Sequence, residues 1–148
     1  MPDIISNRRA YFDYEILETY EAGMELFGFE VKSVKTGHGN LSGCFAVIRN
    51  NEAYLLSATI PAYQPKNAPK DYDPTRTRRL LLHKSEIKEL LGKTAQKGLT
   101  LVPLKLYNKN GKVKILLGLA RHKKSGDKRE TIKKRDTERE INRAMKKE

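Results

Sequence analysis

Residues 99–120 read LTLVPLKLYNKNGKVKILLGLA, and this stretch decides the fold. In its second half an aliphatic residue occupies every second position, a spacing typical of a strand with one buried face. The buried set is predicted to be Val113, Ile115, Leu117 and Leu119, alternating with Lys112, Lys114, Leu116 and Gly118. The first half, residues 99–107, is joined to it by Asn108-Lys109-Asn110-Gly111, a composition typical of hairpin turns. The stretch therefore predicts a β-hairpin packed on a hydrophobic core.

Two more strand regions are predicted closer to the N-terminus. Residues 45–49 and 53–60 flank Asn50-Asn51-Glu52, which indicates a second hairpin. Residues 14–20 mix aromatic and aliphatic side chains with charged ones, a pattern that favours another strand. Ala22-Gly23, directly after it, is interpreted as a bulge at a barrel corner.

Two helices are predicted between these strands. A short helix over residues 31–35 stops at Gly37 and Gly39, and a mid-chain helix opens at Ser85. Either Gly92 or Gly98 ends the mid-chain helix. Its apolar face is predicted to consist of Ile87, Leu90 and Leu91.

Two segments lack a regular pattern. Residues 61–79 contain four prolines and end in Arg76-Thr77-Arg78-Arg79, which predicts a long loop of the kind that is usually functional or disordered. Residues 1–10 are polar and contain Asn7-Arg8-Arg9. They are interpreted as a loosely held basic arm.

These elements predict a mainly β fold: an OB-like antiparallel β-barrel with flanking short helices and a flexible basic C-terminal tail. Residues 1–120 form the barrel and residues 121–148 the tail. The tail holds twelve Lys or Arg against six Asp or Glu, which is half of the chain's net charge of +12. Its few aliphatic side chains cannot offset the entropy lost on ordering it, so it needs a polyanionic partner.

Composition restricts the function. The single cysteine, Cys44, excludes an intramolecular disulfide and indicates a reducing, cytoplasmic compartment. The apolar runs are too short to cross a membrane, and the N-terminus lacks the features of a secretory signal. His38, His83 and His122 stand apart, without metal-ligand spacing or acid–base partners nearby. We therefore expect no catalytic site, no metal site and no cofactor.

Basic residues outside the tail fall into clusters interleaved with aromatic residues. Cations that contact phosphates and rings that stack on bases are the usual means of holding RNA. The clusters therefore predict nucleic-acid binding; the alternative is a solvated face that keeps the protein soluble. The clusters are Asn7-Arg8-Arg9, Lys66 with Lys70, Arg76 with Arg78 and Arg79, and Lys112 with Lys114.

The tail has a sequence suited to a helix with one basic face. Asp127 and Glu130 have the spacing of a capping box, so a helix is predicted to start there. At 100° per residue, five basic residues fall within an arc of about 80°, and the apolar residues gather on the opposite side. This basic stripe consists of Lys128, Arg135, Arg139, Arg143 and Lys146, opposite Ile141, Ala144 and Met145.

Six stretches match one known family in order along the chain. They are NRRA (7–10), YEAG (20–23), GFEVKS (28–33), DPTRTRRLLL (73–82), KGLTLVPL (97–104) and DKRETIK (127–133). With them, the chain resembles SmpB, the bacterial tmRNA-binding family of trans-translation. The resemblance implies an OB-fold barrel, with a tail disordered in isolation, that binds the tRNA-like domain of tmRNA and delivers it to stalled ribosomes.

The resemblance also assigns roles to residues of the barrel. Positions that match the family's tmRNA-binding residues are Asn7, Glu21, Leu81 and Lys114, and Lys32 lies in a matching stretch. Glu21 either accepts hydrogen bonds from RNA or orients an arginine of the barrel rim. The implied partners are tmRNA and the ribosome, with elongation factor Tu and alanyl-tRNA synthetase reached indirectly through tmRNA.

The tail matches the part of the family that enters the decoding region and the empty mRNA path. The residues expected to act there are Lys123, Lys124, Asp127, Lys128, Arg129, Arg135, Arg139, Arg143 and Met145. Gly126 stands where the family often has an aromatic residue or His, and Thr137 where many members have Trp. Ala144 replaces a larger aliphatic residue, and His122 replaces a common Gly.

Two other functions are compatible with a basic β-barrel. One is an OB-fold ribosomal protein or a translation-initiation-type factor that binds rRNA. The other is an RNA-modifying enzyme, against which the lack of clustered acid–base residues argues.

Overall fold

The computed structural model describes residues 3–96 and 98–124, and in the tail the four positions 129, 132, 135 and 139. Its strands are β1 (Asp3–Ser6), β2 (Tyr14–Met24), β3 (Phe45–Arg49), β4 (Glu52–Leu56), β5 (Arg78–Leu81), β6 (Leu99–Lys109) and β7 (Lys112–His122). Its helices are α1 (Arg8–Asp13), α2 (Gly28–Lys35) and α3 (Lys84–Thr94), with a 3-10 turn at Pro65–Asn67.

The strands form a closed antiparallel barrel. They follow one another in the order β6-β3-β4-β5-β2-β7, and the ring closes because β6 also pairs with β7. β1 adds to β6 outside the ring. The predicted fold, a mainly β OB-like barrel with short helices, is confirmed.

The β6–β7 hairpin forms as its alternation predicts. Lys109 pairs with Lys112 across a two-residue turn, Asn110-Gly111, with φ values of +53° and +79°. Positive φ at both turn residues gives the hairpin turn whose twist matches that of the strands, and Asn-Gly is the pair best suited to it. The four alternating aliphatic residues of β7 are buried in the main core, as predicted.

The opposite face of this hairpin is also partly buried. Leu116 packs there against a second small cluster, made of Ala10, Val102, Leu104 and Ala120. A Cβ on Gly118 would lie 3.1 Å from a methyl carbon of Leu104, so any other residue would require Leu104 to shift by a few tenths of an ångström. α1 thus covers one outer face of the barrel.

The N-terminal segment is not a loose arm, and that prediction was wrong for the described residues. β1 pairs with β6 at Lys105–Tyr107, and Ile5, Asn7 and Ala10 are buried. The reason lies in β6, which is much longer than its neighbour β3 and pairs with it at a single position, Leu101 with Ala46. The rest of that edge accepts β1.

Other corrections concern where elements begin and end. The bulge in β2 lies between Ile16 and Glu18, while Ala22 and Gly23 pair regularly with β7. α2 begins three residues before the prediction, at Gly28. The second hairpin ends at Leu56, because Ser57 has a φ of +68° that breaks the strand.

The predicted bounds of the mid-chain helix and of the long loop also differ from those in the structure. α3 continues through Gly92 to Thr94, and Leu91 is exposed instead of facing the core. The loop after β4 ends earlier than predicted, because Arg78 and Arg79 belong to β5. β7 runs to His122, two residues past the predicted end of the barrel.

Candidate nucleic-acid interface

Three predicted RNA-binding residues meet on the outer face of the barrel. Gly23 of β2 pairs with Leu81 of β5 on one side and with Lys114 of β7 on the other. Glu21 lies two residues before Gly23, so its side chain leaves the same face of the strand. We call this set, Glu21, Gly23, Leu81 and Lys114, the Gly23 surface.

The absence of a side chain at Gly23 brings its neighbours together. A Cβ at this position would lie 3.3 Å from the Leu81 Cβ and 3.6 Å from the Lys114 Nζ. Both side chains therefore lie over the β2 backbone. Leu81 remains 46% exposed, which leaves an apolar side chain beside an ammonium group at the surface. Such a pair can contact a ribose or base and a phosphate at the same time.

Glu21 is held in place by two residues of β6. The Tyr107 hydroxyl donates a hydrogen bond to one carboxylate oxygen, and the Lys109 Nζ lies 3.1 Å from the other. These hydrogen bonds lower the pKa of Glu21, whereas burial and the carboxylate raise the pKa of Tyr107. Glu21 is thus a fixed, ionised acceptor. The residues it orients are a tyrosine and a lysine, so the proposed arginine partner was wrong.

Tyr107 is one of the aromatic residues interleaved with the basic clusters, but its contact with Glu21 was not predicted, and Lys109 was not predicted as a site residue. Tyr107 ends the first strand of the predicted hairpin and Lys109 lies in its predicted turn, but nothing in that pattern relates them to Glu21, more than 80 residues earlier. The pairing of β6 with β7, and of β7 with β2, brings them together.

A groove of about 270 Å³ borders the Gly23 surface. Leu26 and Val31 line its apolar side, and Gly111 and Lys112 of the β6–β7 turn line the other. The Lys35 Nζ donates a hydrogen bond of 2.9 Å to the Gly111 carbonyl, which ties α2 to this turn. Lys32 is exposed on α2, the helix that carries Val31.

The three arginines predicted to end the long loop have different environments. Arg76 is partly exposed and stacks on Phe27, with 4.3 Å from its guanidinium carbon to the ring centre. Arg79 is exposed and forms ion pairs with Glu25 and Glu52, at 2.8 Å and 3.3 Å. Arg78 points into the barrel and is fully buried, so its assignment as an RNA contact is corrected.

Glu30 is the buried partner of Arg76 and Arg78. It accepts hydrogen bonds from Arg76 and Arg78, from the Tyr72 hydroxyl and from the Phe27 amide. Burial alone would raise the pKa of Glu30, but the hydrogen bonds outweigh burial and lower it. The remaining N–H groups of Arg78 donate to the Tyr72 hydroxyl and to the carbonyls of residues 58, 74 and 76. This network joins α2 and the long loop to the barrel.

The three residues of the Asn7-Arg8-Arg9 cluster differ in burial. Asn7 is only 5% exposed, and its Nδ2 donates to the carbonyls of Pro103 at 2.8 Å and Leu41 at 3.3 Å. Arg8 is exposed on α1, and Arg9 is exposed and paired with Asp13 at 2.9 Å. Asn7 therefore fastens α1 to the barrel, and the two arginines lie at the surface.

The start of the tail is attached to the end of α1. The backbone N–H of Lys123 donates to the Asp13 carbonyl at 2.9 Å, and its Nζ donates to the Tyr11 carbonyl at 3.1 Å. The His122 ring lies 4.3 Å from that of Tyr14, and Lys124 is exposed.

Five of the nine predicted tail residues are described, two of them being Lys123 and Lys124. Arg129, Arg135 and Arg139 are helical and exposed. Asp127, Lys128, Arg143 and Met145 lie outside the described residues, as do Gly126, Thr137 and Ala144. In the part of the chain that the structure describes, no helix has the length and apolarity needed to span a bilayer.

Known proteins similar to this chain cover nearly its whole length. A family model described as SmpB protein matches residues 4–147. The SsrA-binding protein of Thermosynechococcus vestitus is 58% identical over 140 residues, which are 95% of this chain and 92% of that protein. The SsrA-binding protein of Gloeothece citriformis is 55% identical over 143 residues, 97% of this chain and 92% of that protein. A solved structure described as "tmRNA-SmpB: a journey to the center of the bacterial ribosome" is 55% identical, with a TM-score of 0.68, and the match covers 81% of this chain and 84% of that one.

Proposed function

The chain belongs to the SmpB family, and we propose that it is an RNA-binding adaptor that carries tmRNA to stalled ribosomes for trans-translation. Its barrel binds the tRNA-like domain of tmRNA. Its tail occupies the decoding centre and the empty mRNA path. The protein works by binding, without catalysis, in the cytoplasm.

The Gly23 surface is the observation that supports the RNA-binding half of this proposal. Pairing among β5, β2 and β7 assembles Glu21, Leu81 and Lys114 from three distant parts of the chain. Together they provide a fixed hydrogen-bond acceptor, an exposed apolar side chain and a cation. These are the groups needed to bind the base or ribose edge and the phosphate of a folded RNA.

The charge of the tail supports the part of the proposal that concerns the ribosome. Its charge suits rRNA phosphates, and ordering it without such a partner costs more than its apolar residues supply. We therefore expect the tail to be disordered in the free protein and helical on the ribosome. The expectation is narrowed from residues 121–148 to residues 125–148, because residues 121–123 are hydrogen-bonded to β2 and α1. The adaptor meets elongation factor Tu and alanyl-tRNA synthetase through tmRNA.

Family membership disfavours the alternative, an OB-fold ribosomal protein or initiation-type factor that binds rRNA. The two functions differ in the ligand of the isolated protein. An adaptor of this kind binds the tRNA-like domain of tmRNA more tightly than rRNA fragments or an elongator tRNA of similar length. A ribosomal protein shows no such preference.

Binding to RNA transcripts tests this proposal directly. Leu81→Ala and Lys114→Gln should each weaken binding to the tRNA-like domain by about five- to thirtyfold, and Lys114→Gln should reduce the salt slope by about one. Matched controls exist on α3: Leu91 is 46% exposed, as Leu81 is, and Lys88 is an exposed lysine. Leu91→Ala and Lys88→Gln should leave binding within about twofold. Equal losses in both pairs of variants would contradict a localised interface.

A further inference from the structure

Two guanidinium groups lie close to the ring of Phe12, on α1. The guanidinium carbon of Arg9 is 5.5 Å from the centre of its ring, and that of Arg135, in the tail, is 5.4 Å away. Both distances fall within the range of a cation–π contact. Arg9 is also paired with the Asp13 carboxylate at 2.9 Å, which offsets part of the positive charge beside the ring. A residue of the tail therefore contacts the helix that carries Arg8 and Arg9 and follows Asn7.

The position of α1 relative to the tail is fixed independently of this contact. Two hydrogen bonds from Lys123 reach carbonyls in the last turn of α1. The ring contact between His122 and Tyr14 holds the end of β7 to the start of β2. The chain thus leaves the barrel beside the C-terminal end of α1. A second attachment point further along the tail would then determine which way a helical tail is rotated.

Arginine is suited to such an attachment point. Its planar guanidinium stacks on a ring through its face and keeps its N–H edges for a phosphate. Arg135 belongs to the predicted basic stripe, so stacking on Phe12 directs the stripe relative to the barrel without removing Arg135 from phosphate binding. Lysine lacks this combination because its ammonium group has no flat face.

We propose that Phe12 is a positioning residue of the tail: through its stacking on Arg135, it sets the rotation of the tail helix about its axis when the helix forms on the ribosome. This inference rests on the proposed function of the tail. One exposed cation–π contact changes an equilibrium by about two- to fivefold. That effect is too small to order a free tail, but it favours one rotation over others once rRNA has ordered the helix.

The variants are Phe12→Leu, which removes the ring, and Phe12→Tyr, which retains it. Tyr11→Leu is the matched control, because it removes an exposed ring from the adjacent position of the same helix. The first readout is cleavage of rRNA by hydroxyl radicals from an iron chelate on Ile132→Cys, a helical position that is 45% exposed. Native Cys44 is buried and escapes labelling. The other readouts are affinity for the tRNA-like domain and the rate of tagging.

Phe12→Leu should broaden or shift the cleavage sites on rRNA and lower tagging by about two- to fivefold, with affinity for tmRNA unchanged. Phe12→Tyr and Tyr11→Leu should match the unmodified chain. In an Arg135→Gln background, Phe12→Leu should have no additional effect. An unchanged cleavage pattern with Phe12→Leu overturns the inference, as does an equal loss with Phe12→Tyr or an undiminished effect in the Arg135→Gln background. Failure of the unmodified chain to bind tmRNA would instead defeat the proposed function, and the cleavage pattern on the ribosome would still test Phe12.

Discussion

Arg78 and Glu30 form a fully buried ion pair, in which an Arg78 Nη2 lies 2.7 Å from a carboxylate oxygen of Glu30. Desolvation of two charges is costly, and their attraction compensates only when further hydrogen bonds satisfy the remaining donors and acceptors. Each nitrogen of the Arg78 guanidinium has an acceptor here. Because α2, the long loop and β5 all contribute to this network, its loss should loosen three elements together.

Glu30→Gln keeps the shape of the side chain but leaves Arg78 as an uncompensated buried charge. We expect the free energy of unfolding to fall by about 3–5 kcal/mol, measured by urea denaturation. Glu25→Gln is the control, because Glu25 belongs to an exposed ion pair with Arg79. Loss of this exposed ion pair should lower the free energy of unfolding by less than about 1 kcal/mol. Equal effects of the two substitutions would show that burial of the pair does not matter.

The lowered pKa of Glu30 predicts a specific dependence of stability on pH. The folded-state pKa lies below the unfolded-state value of about 4.3, so the unfolded state takes up this proton first as the pH falls. The stabilisation from ionised Glu30 is complete above the unfolded-state pKa and is lost as the pH falls through the folded-state pKa. The difference in unfolding free energy between the unmodified chain and Glu30→Gln should therefore be constant from pH 7 to about 5 and shrink below about 4. If this difference in unfolding free energy grew on acidification, the folded-state pKa of Glu30 would be raised and not lowered.

Asn7→Ala tests whether Asn7 contacts RNA or supports α1. The substitution removes the donor to the Leu41 and Pro103 carbonyls, so the free energy of unfolding should fall by about 1–3 kcal/mol. Arg8→Ala, at the exposed neighbouring position, should leave stability within about 0.5 kcal/mol and reduce the salt slope of RNA binding. If Asn7→Ala weakens RNA binding without any loss of stability, Asn7 acts by direct contact.

Gly23→Val tests the close approach on the Gly23 surface. The added side chain would press on Leu81 and displace the Lys114 ammonium. We expect about three- to tenfold weaker binding to the tRNA-like domain, with a loss of about 1 kcal/mol in stability because the displaced groups are at the surface. Gly92→Ala is the control: nothing lies within 4 Å of its added Cβ, and it should stabilise α3 by about 1 kcal/mol without changing RNA affinity.

Truncation separates the two halves of the proposed function, provided that it respects the attachment of the tail. A chain ending at Lys124 keeps the contacts of His122 and Lys123 with the barrel. It should bind the tRNA-like domain within about twofold and fail to support tagging on stalled ribosomes. A chain ending at Ala120 loses those contacts and should be about 1–3 kcal/mol less stable. Normal tagging by the chain ending at Lys124 would refute a decoding role for the tail.

The sequence alone determined the β6–β7 hairpin and the fold class. Alternation along β7 assigns Val113 and Ile115 to one face, and the Asn110-Gly111 turn makes the pairing local, so no distant residue is needed. The second hairpin and α3 also depend on contacts between residues close in the chain. Their central residues were therefore predicted, although their ends were not. Element ends depend on single backbone angles, as at Ser57, and composition does not report these.

The tertiary structure decided which charged and polar residues lie inside. Nothing around Arg78 in the sequence distinguishes it from Arg76 or Arg79; its burial depends on Glu30, which lies 48 residues earlier. The burial of Asn7 likewise depends on carbonyls supplied by distant residues. Residue types and the resemblance were enough to select Glu21, Leu81 and Lys114, but not to place them around Gly23 with Tyr107 and Lys109. Pairing between strands that are far apart in the chain determines this placement. The pattern of a single strand predicts which of its faces is buried, but not which strand will lie beside it.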